Sequence, residues 1–269
     1  MKGAKHIIFI LGAACAVPAS LRAHVGYGGR DFGTNPASVT ISNQTVSSAF
    51  GWADATDSDR GDSHRGKFFR FTLTTPATLV ISVLRGGTAT QGGAAGTFLP
   101  AFSLYAGLGQ LSPEQGGHDA AQLSIDNRPS GTEGSFRSLD NWSIGNDPTY
   151  NTTGDPTSGV LYAPRLANFV YIGHRADGTS ANYGNAPGIN GDGAADGNVT
   201  AVFDGLMPGD YSLFVGGANY DAQLTETGPT YPTYAFTAMV QTVPEPSIWA
   251  LFALGGAALG FALEKKHRR

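Results

Sequence analysis

Residues 67–84 read KFFRFTLTTPATLVISVL, and this stretch decides the fold. Phe69, Phe71 and Leu73 fall on alternate positions, the period of a strand that buries one face. Thr75-Pro76-Ala77 is a turn signal. Thr78 to Leu84 is then β-branched and apolar, and Arg85-Gly86-Gly87 ends it. Further along, Ala101–Tyr105, Leu166–Ile172, Val199–Phe203, Leu206–Gly216 and Tyr234–Val240 have the same character. In the fourth of these, Pro208-Gly209 makes a turn that feeds a strand. Short strands divided by turn clusters predict an all-β fold, a jelly-roll-like β-sandwich with long loops.

Composition agrees. The chain has 269 residues, of which 38 are Gly and 15 Pro; hydrophobic residues make up 41% and charged residues only 14%. Gly and Pro break helices and serve turns. Between residues 24 and 243 there are ten bases against nineteen acids, and Lys67 is the one lysine. Nucleic-acid binding needs a basic stripe that displaces counterions, and this segment has none.

Both ends differ from the middle. Residues 1–23 place Lys2 and Lys5 before an apolar run from Ile7 to Val17, followed by small residues. That order predicts a secretory signal peptide, cut after Ala23 by signal peptidase. The cut would remove Cys15, the only cysteine, and with it disulfides and thiol chemistry. At the other end, Ser247–Leu263 is seventeen residues without a charge. As a helix it would be roughly 25 Å long, enough for a thin bilayer. Trp249 suits the interface, and Lys265, Lys266, Arg268 and Arg269 would stay cytoplasmic, leaving 24–243 outside. Pro244-Glu245-Pro246 keeps the chain extended just before that span. The expected organisation is a signal peptide at 1–23, a β-sandwich ectodomain at 24–242, and a C-terminal signal at 243–269 with a transmembrane helix at 247–263.

The tail resembles the PEP-CTERM sorting signal of Gram-negative bacteria, with Pro-Glu-Pro, a membrane helix and a basic cluster in order. The resemblance implies recognition by an exosortase, a membrane-embedded processing enzyme. It implies passing anchorage in the inner membrane, then a place at the cell surface or in the extracellular matrix with polysaccharide and biofilm. The strand order and the Pro208-Gly209-Asp210-Tyr211 turn resemble pre-peptidase C-terminal-like domains, which are jelly-roll modules. The polar run from Gly107 to Gly159 departs from that pattern, and within it Ser135–Trp142 is expected to form a short helix.

Candidate chemistry is sparse. Gly61-Asp62-Ser63-His64 begins like the GDS block of some serine hydrolases, but no histidine lies between His174 and His267 to serve as the downstream base. Arg60-Gly61-Asp62 reads as a turn. His24, His64, His118 and His174 have no zinc-type spacing. Two acidic loops precede strands: Asp54, Asp57, Asp59 and Asp62 in one, Asp192 and Asp196 in the other. Such loops could supply oxygens to a weak extracellular calcium site, with Asp57, Asp59, Asp62, Asp192 and Asp196 as ligands, or could simply be turns. Neither has the EF-hand's bidentate Glu. Trp52 and Trp142 could stack on sugar rings; in the competing reading they plug the ends of the core, as large aromatics more often do. The expectation is a non-enzymatic exported protein associated with exopolysaccharide. The alternatives are a secreted hydrolase displayed by the same tail and a purely structural adhesin module.

Overall fold

The computed structural model describes residues 25–53, 60–86, 97–109, 135–146, 162–226 and 231–243. The expected signal peptide, the Pro-Glu-Pro motif, the membrane span and the basic tail lie outside them. The described chain is an all-β sandwich. Its strands are β1 (Asp31–Thr34), β2 (Val39–Ser47), β3 (Arg60–Asp62), β4 (Lys67–Leu73), β5 (Ala77–Arg85) and β6 (Pro100–Ala106). Then follow β7 (Ser135–Arg137), β8 (Trp142–Asn146), β9 (Tyr162–Ala176), β10 (Asn198–Leu206), β11 (Gly209–Gly217) and β12 (Thr233–Val243). A 3-10 turn at Ser180–Tyr183 and a short helix, α1 (Tyr220–Thr225), complete the described elements.

One sheet has six strands in the order β1-β4-β11-β6-β9-β8; the other has four, β10-β5-β12-β2. β1 and β4 are parallel; the other pairs within the two sheets are antiparallel. The Thr74–Pro76 turn is a corner, because β4 lies in the six-stranded sheet and β5 in the other. β1 to β2 and β10 to β11 change sheets in the same way.

The main core lies between the sheets. β4 contributes Phe69, Phe71 and Leu73, as its alternation predicts, and β5 contributes Leu79, Ile81 and Val83. Phe236, Ala238 and Val240 of β12 face them. The six-stranded sheet is covered on its other face too. There a second cluster gathers Trp52, Phe68, Tyr105, Trp142, Phe169 and Phe214. Burial on both faces explains why β6 and β11 read as continuous apolar runs. Trp142 and Phe169 stack at 4.4 Å with planes 8° apart.

Gly217 permits a close backbone approach in this second layer. A Cβ there would lie 2.3 Å from the Ala49 carbonyl, and the Gly217 carbonyl accepts from Trp52 N at 2.9 Å. The segment from Ser135 to Trp142 forms no helix. Its ends are β7, paired with β3, and the start of β8, paired with β9. The backbone groups that a helix would satisfy internally go instead to neighbouring strands.

Candidate functional site

The second acidic loop packs against the end of β9. Ala176 N donates to the Asn190 carbonyl at 3.1 Å, and Asp192 N to the Ala176 carbonyl at 3.0 Å. Gly191 bridges Ala176, and a Cβ on it would meet the Gly178 carbonyl at 2.4 Å and the Tyr183 hydroxyl at 2.7 Å. The carboxylates are spent on this loop. Asp192 Oδ1 accepts from Gly178 N at 2.9 Å and Ala194 N at 3.1 Å, and Asp196 Oδ1 from Asn198 N at 2.9 Å. They act as turn formers. Asp62, in the first loop, accepts from His64 N at 3.0 Å and pairs with Arg65 Nε at 3.2 Å and His64 Nδ1 at 3.3 Å. Asp54, Asp57 and Asp59 lie outside the described residues. Among the described residues, no group of three or more His, Cys, Asp or Glu side chains is placed to hold a metal ion. The described residues give the calcium expectation no support: Asp192 and Asp196 serve backbone N–H groups, and Asp62 serves His64 N and Arg65.

The sequence reading missed Asp177. Its side chain is fully buried, and its two oxygens accept from Asp196 N at 3.0 Å and Gly197 N at 2.7 Å. Burial pushes its carboxyl up to about 6, with Asp192 and Asp196 adding to the rise and the two N–H bonds opposing it. The signal available was Asp177-Gly178, a turn dipeptide at the end of a strand. Beside it, the buried Tyr183 phenol is raised by desolvation first, then by Asp192 and Asp177.

His174 has both ring nitrogens engaged. Nε2 accepts from Asn190 N at 2.7 Å, which puts the ring proton on Nδ1, 2.5 Å from the Tyr171 hydroxyl. Desolvation, then Arg175, lowers it to about 4. Its ring lies 5.4 Å from that of Trp52.

Neither tryptophan reaches the surface. Trp52 is 0% and Trp142 5% exposed, so neither ring is available to stack on a sugar. Trp52 instead closes a ring of buried hydrogen bonds. Its Nε1 donates to Ser103 Oγ at 2.9 Å, Ser103 Oγ to the Ser138 carbonyl at 2.6 Å, and Ser138 Oγ to the Trp52 carbonyl. Tyr105 Oη adds a bond to the Arg137 carbonyl at 2.5 Å. These bonds fasten residues 135–138, the described middle of the long polar run, onto the six-stranded sheet. A cleft lined by Ala53, Tyr183, Ile189, Ala218, Tyr220 and Gln223 has room for about one water and none for a sugar.

Two surfaces remain. The outer face of the four-stranded sheet carries few charges. One row across it runs Thr40, Met239, Ser82 and Thr200, with Ser82 and Thr200 hydroxyls 2.8 Å apart. A neighbouring row carries the exposed Val202 beside Val80 and Gln241. The other surface is where the chain leaves the fold. β12 stays paired to its last residue, Thr242 opposite Leu79 and Val243 opposite Thr78. Thr242 is held twice by the Pro36 carbonyl, from its N at 2.9 Å and its Oγ1 at 2.7 Å.

Residues 242–266 match the PEP-CTERM protein-sorting motif. The chain is thus an all-β sandwich joined to a sorting signal. No curated protein matches it in sequence. Among solved structures, it is similar to the surface-associated copper-binding protein CorA of Methylomicrobium album BG8. Identity is 14%, covering 78% of this chain and 98% of that one, with a TM-score of 0.46. It is also similar to the secreted protein MopE of Methylococcus capsulatus, in which an oxidised tryptophan facilitates copper binding. Identity is 15%, covering 80% and 87%, with a TM-score of 0.38. At these scores neither protein's metal nor its ligands transfer to this chain.

Proposed function

We propose that the chain is an exported surface or matrix protein, delivered by its PEP-CTERM tail to an exosortase-type membrane enzyme and without catalytic activity of its own. The observation that carries this reading is the match of residues 242–266 to the sorting motif. The engaged polar groups support the non-catalytic part. Asp177, Asp192 and Asp196 hold loops, and Trp52, Ser103 and Ser138 fasten a segment to the sheet. Association with extracellular polysaccharide is assigned to the hydroxyl-bearing face of the four-stranded sheet rather than to Trp52 and Trp142. Ser82, Thr200 and Thr40 there offer donors and acceptors without charge. The pre-peptidase C-terminal-like resemblance belongs to the same reading, as a module carried on a secreted protein.

The test is fractionation with intact-mass measurement in a Gram-negative host that has such an enzyme. Wild-type protein is expected outside the cytoplasm with a mass lacking the tail. The Pro244→Ala/Pro246→Ala variant is expected at full length in the membrane. Recovery of the wild type from the cytosol at full length overturns the proposal. Separately, the purified sandwich is expected to be retained on the host's exopolysaccharide; no retention leaves the adhesin reading in its place.

A further inference from the structure

The sorting motif begins inside the folded domain. Its match starts at residue 242, whereas β12 runs to Val243. Thr242 and Val243 are therefore both motif residues and the last two rungs of the ladder to β5. Thr242 is also clamped to the Pro36 carbonyl through its N–H and its hydroxyl. From Val243 to Ser247, where the uncharged stretch starts, is four residue steps, which reach at most roughly 14 Å when fully extended. No slack separates the sandwich from the segment the enzyme must grip. An enzyme that reads an extended strip beside the membrane meets a folded β-sheet end within that distance.

We propose that the end of β12 is a clamp on sorting: the membrane enzyme receives Pro244-Glu245-Pro246 only after Thr242 and Val243 peel away from Leu79, Thr78 and Pro36. The inference rests on the sorting reading above. Thr242 and Pro36 are positioning residues; they control presentation of the motif and take no part in breaking the bond. The sandwich end that must make room is formed by the exposed turns at Asn35, Thr74–Pro76 and Met207-Pro208, the last flanked by the exposed Asp204 and Asp210. A folded sandwich thus presents its own tail slowly, at a rate set by the opening of two rungs.

The experiment follows loss of the full-length chain over time in the processing host. Six Gly/Ser residues inserted between Val243 and Pro244 supply slack without touching β12. Processing is expected to quicken by at least roughly fivefold, the factor for one hydrogen bond of ordinary net strength. Thr242→Ala, which loses the hydroxyl bond but keeps the N–H bond, is expected to quicken it by roughly twofold to fivefold. Thr78→Cys with Val243→Cys locks the last rung, since directly opposed residues of an antiparallel pair lie within disulfide reach. Processing is expected to slow by about tenfold or more, a lock being stronger than the one bond whose loss gives fivefold. In a host unable to form periplasmic disulfides that slowing is lifted. An unchanged melting temperature of the purified insertion variant shows that the slack acts at the junction and not on the fold. If wild type is processed but neither slack nor lock changes the rate, the clamp is refuted while the sorting reading stands. If wild type is never processed, both fall.

Discussion

At the scale of single residues, Asp177 and His174 make opposite contributions over the same pH range. The carboxyl of Asp177 is raised to about 6 in the fold from an ordinary 3.8, so between those values the folded chain binds a proton that the unfolded chain does not. Its contribution to stability therefore grows as pH falls through 6 and is lost as pH rises. His174 is lowered to about 4 from 6.5, so between those values only the unfolded chain binds the proton. Its contribution shrinks as pH falls. Each shift of about two units corresponds to roughly 2–3 kcal/mol, and the signs oppose. The pair is expected to leave the melting temperature nearly level between about pH 4.5 and 6. Asp177→Asn removes one arm. It also sets an amide N–H against a backbone N–H at Asp196 or Gly197, costing roughly 1–3 kcal/mol. Thermal melts of this variant are expected to show stability falling below pH 6.5, a slope the wild type lacks. A wild-type-like level profile in Asp177→Asn would refute the compensation.

At the scale of elements, legibility followed the pattern of burial. β5, β10 and β12 alternate because one face meets the core and the other meets water, and β4 alternates at Phe69, Phe71 and Leu73 although Phe68 is buried in the second cluster. Each was readable within a few residues. β11 and the apolar part of β6 were readable as runs. β2 was missed because it is an edge strand, with Ser42, Asn43 and Gln44 in its middle and a register shift where Asn43 takes a positive φ. Such bulges blunt an edge against pairing with another chain, and they also erase its alternation. β3, β7 and β8 were missed because they exist only through partners far along the chain. Ser135–Trp142 alone favours nothing strongly, and the pairing with β3 and β9 decides it. Trp52 and Trp142 showed the same limit. Their size was visible in the sequence, but the layer that buries them is built from segments some 90 residues apart. The seam at Ser138 is testable. Ser138→Ala removes the hydroxyl that donates to the Trp52 carbonyl and leaves that buried acceptor short of a bond, an expected loss of about 1–3 kcal/mol. Hydrogen exchange is expected to quicken at residues 60–62 and 135–137 while β5 and β12 keep their protection. Uniform loss of protection across both sheets would show that the segment is not a separate layer.

At the scale of the whole molecule, the described fold begins at Val25 and ends at Val243, beside the two expected export signals. Val25 is 3% exposed in the second core cluster, one residue after His24, where the mature chain is expected to begin. Tyr27 extends that anchorage. Its hydroxyl bonds Ser212 Oγ at 2.7 Å and accepts from Gly109 N at 2.8 Å, while Arg30 donates to the Gly26 and Phe68 carbonyls. At the far end, β12 is paired up to Val243. With the expected cut after Ala23, trimming past Val25 at one end or before Val243 at the other removes structure. Deleting His24 alone is expected to leave thermal stability unchanged. Deleting through Tyr27 forfeits the burial of Val25, roughly 1.5–3 kcal/mol, together with the two Tyr27 bonds, and leaves Ser212 with one partner fewer. For a domain of this length each kcal/mol moves the midpoint by about 2–4 °C, so the drop is expected to be about 7–20 °C. Because Cys15 lies within the expected signal, reductant is expected to shift neither melt. Equal midpoints for the two deletions would mean that the first residues of the mature chain are a free leader, and that the sandwich is not bounded as tightly at its start as at its end.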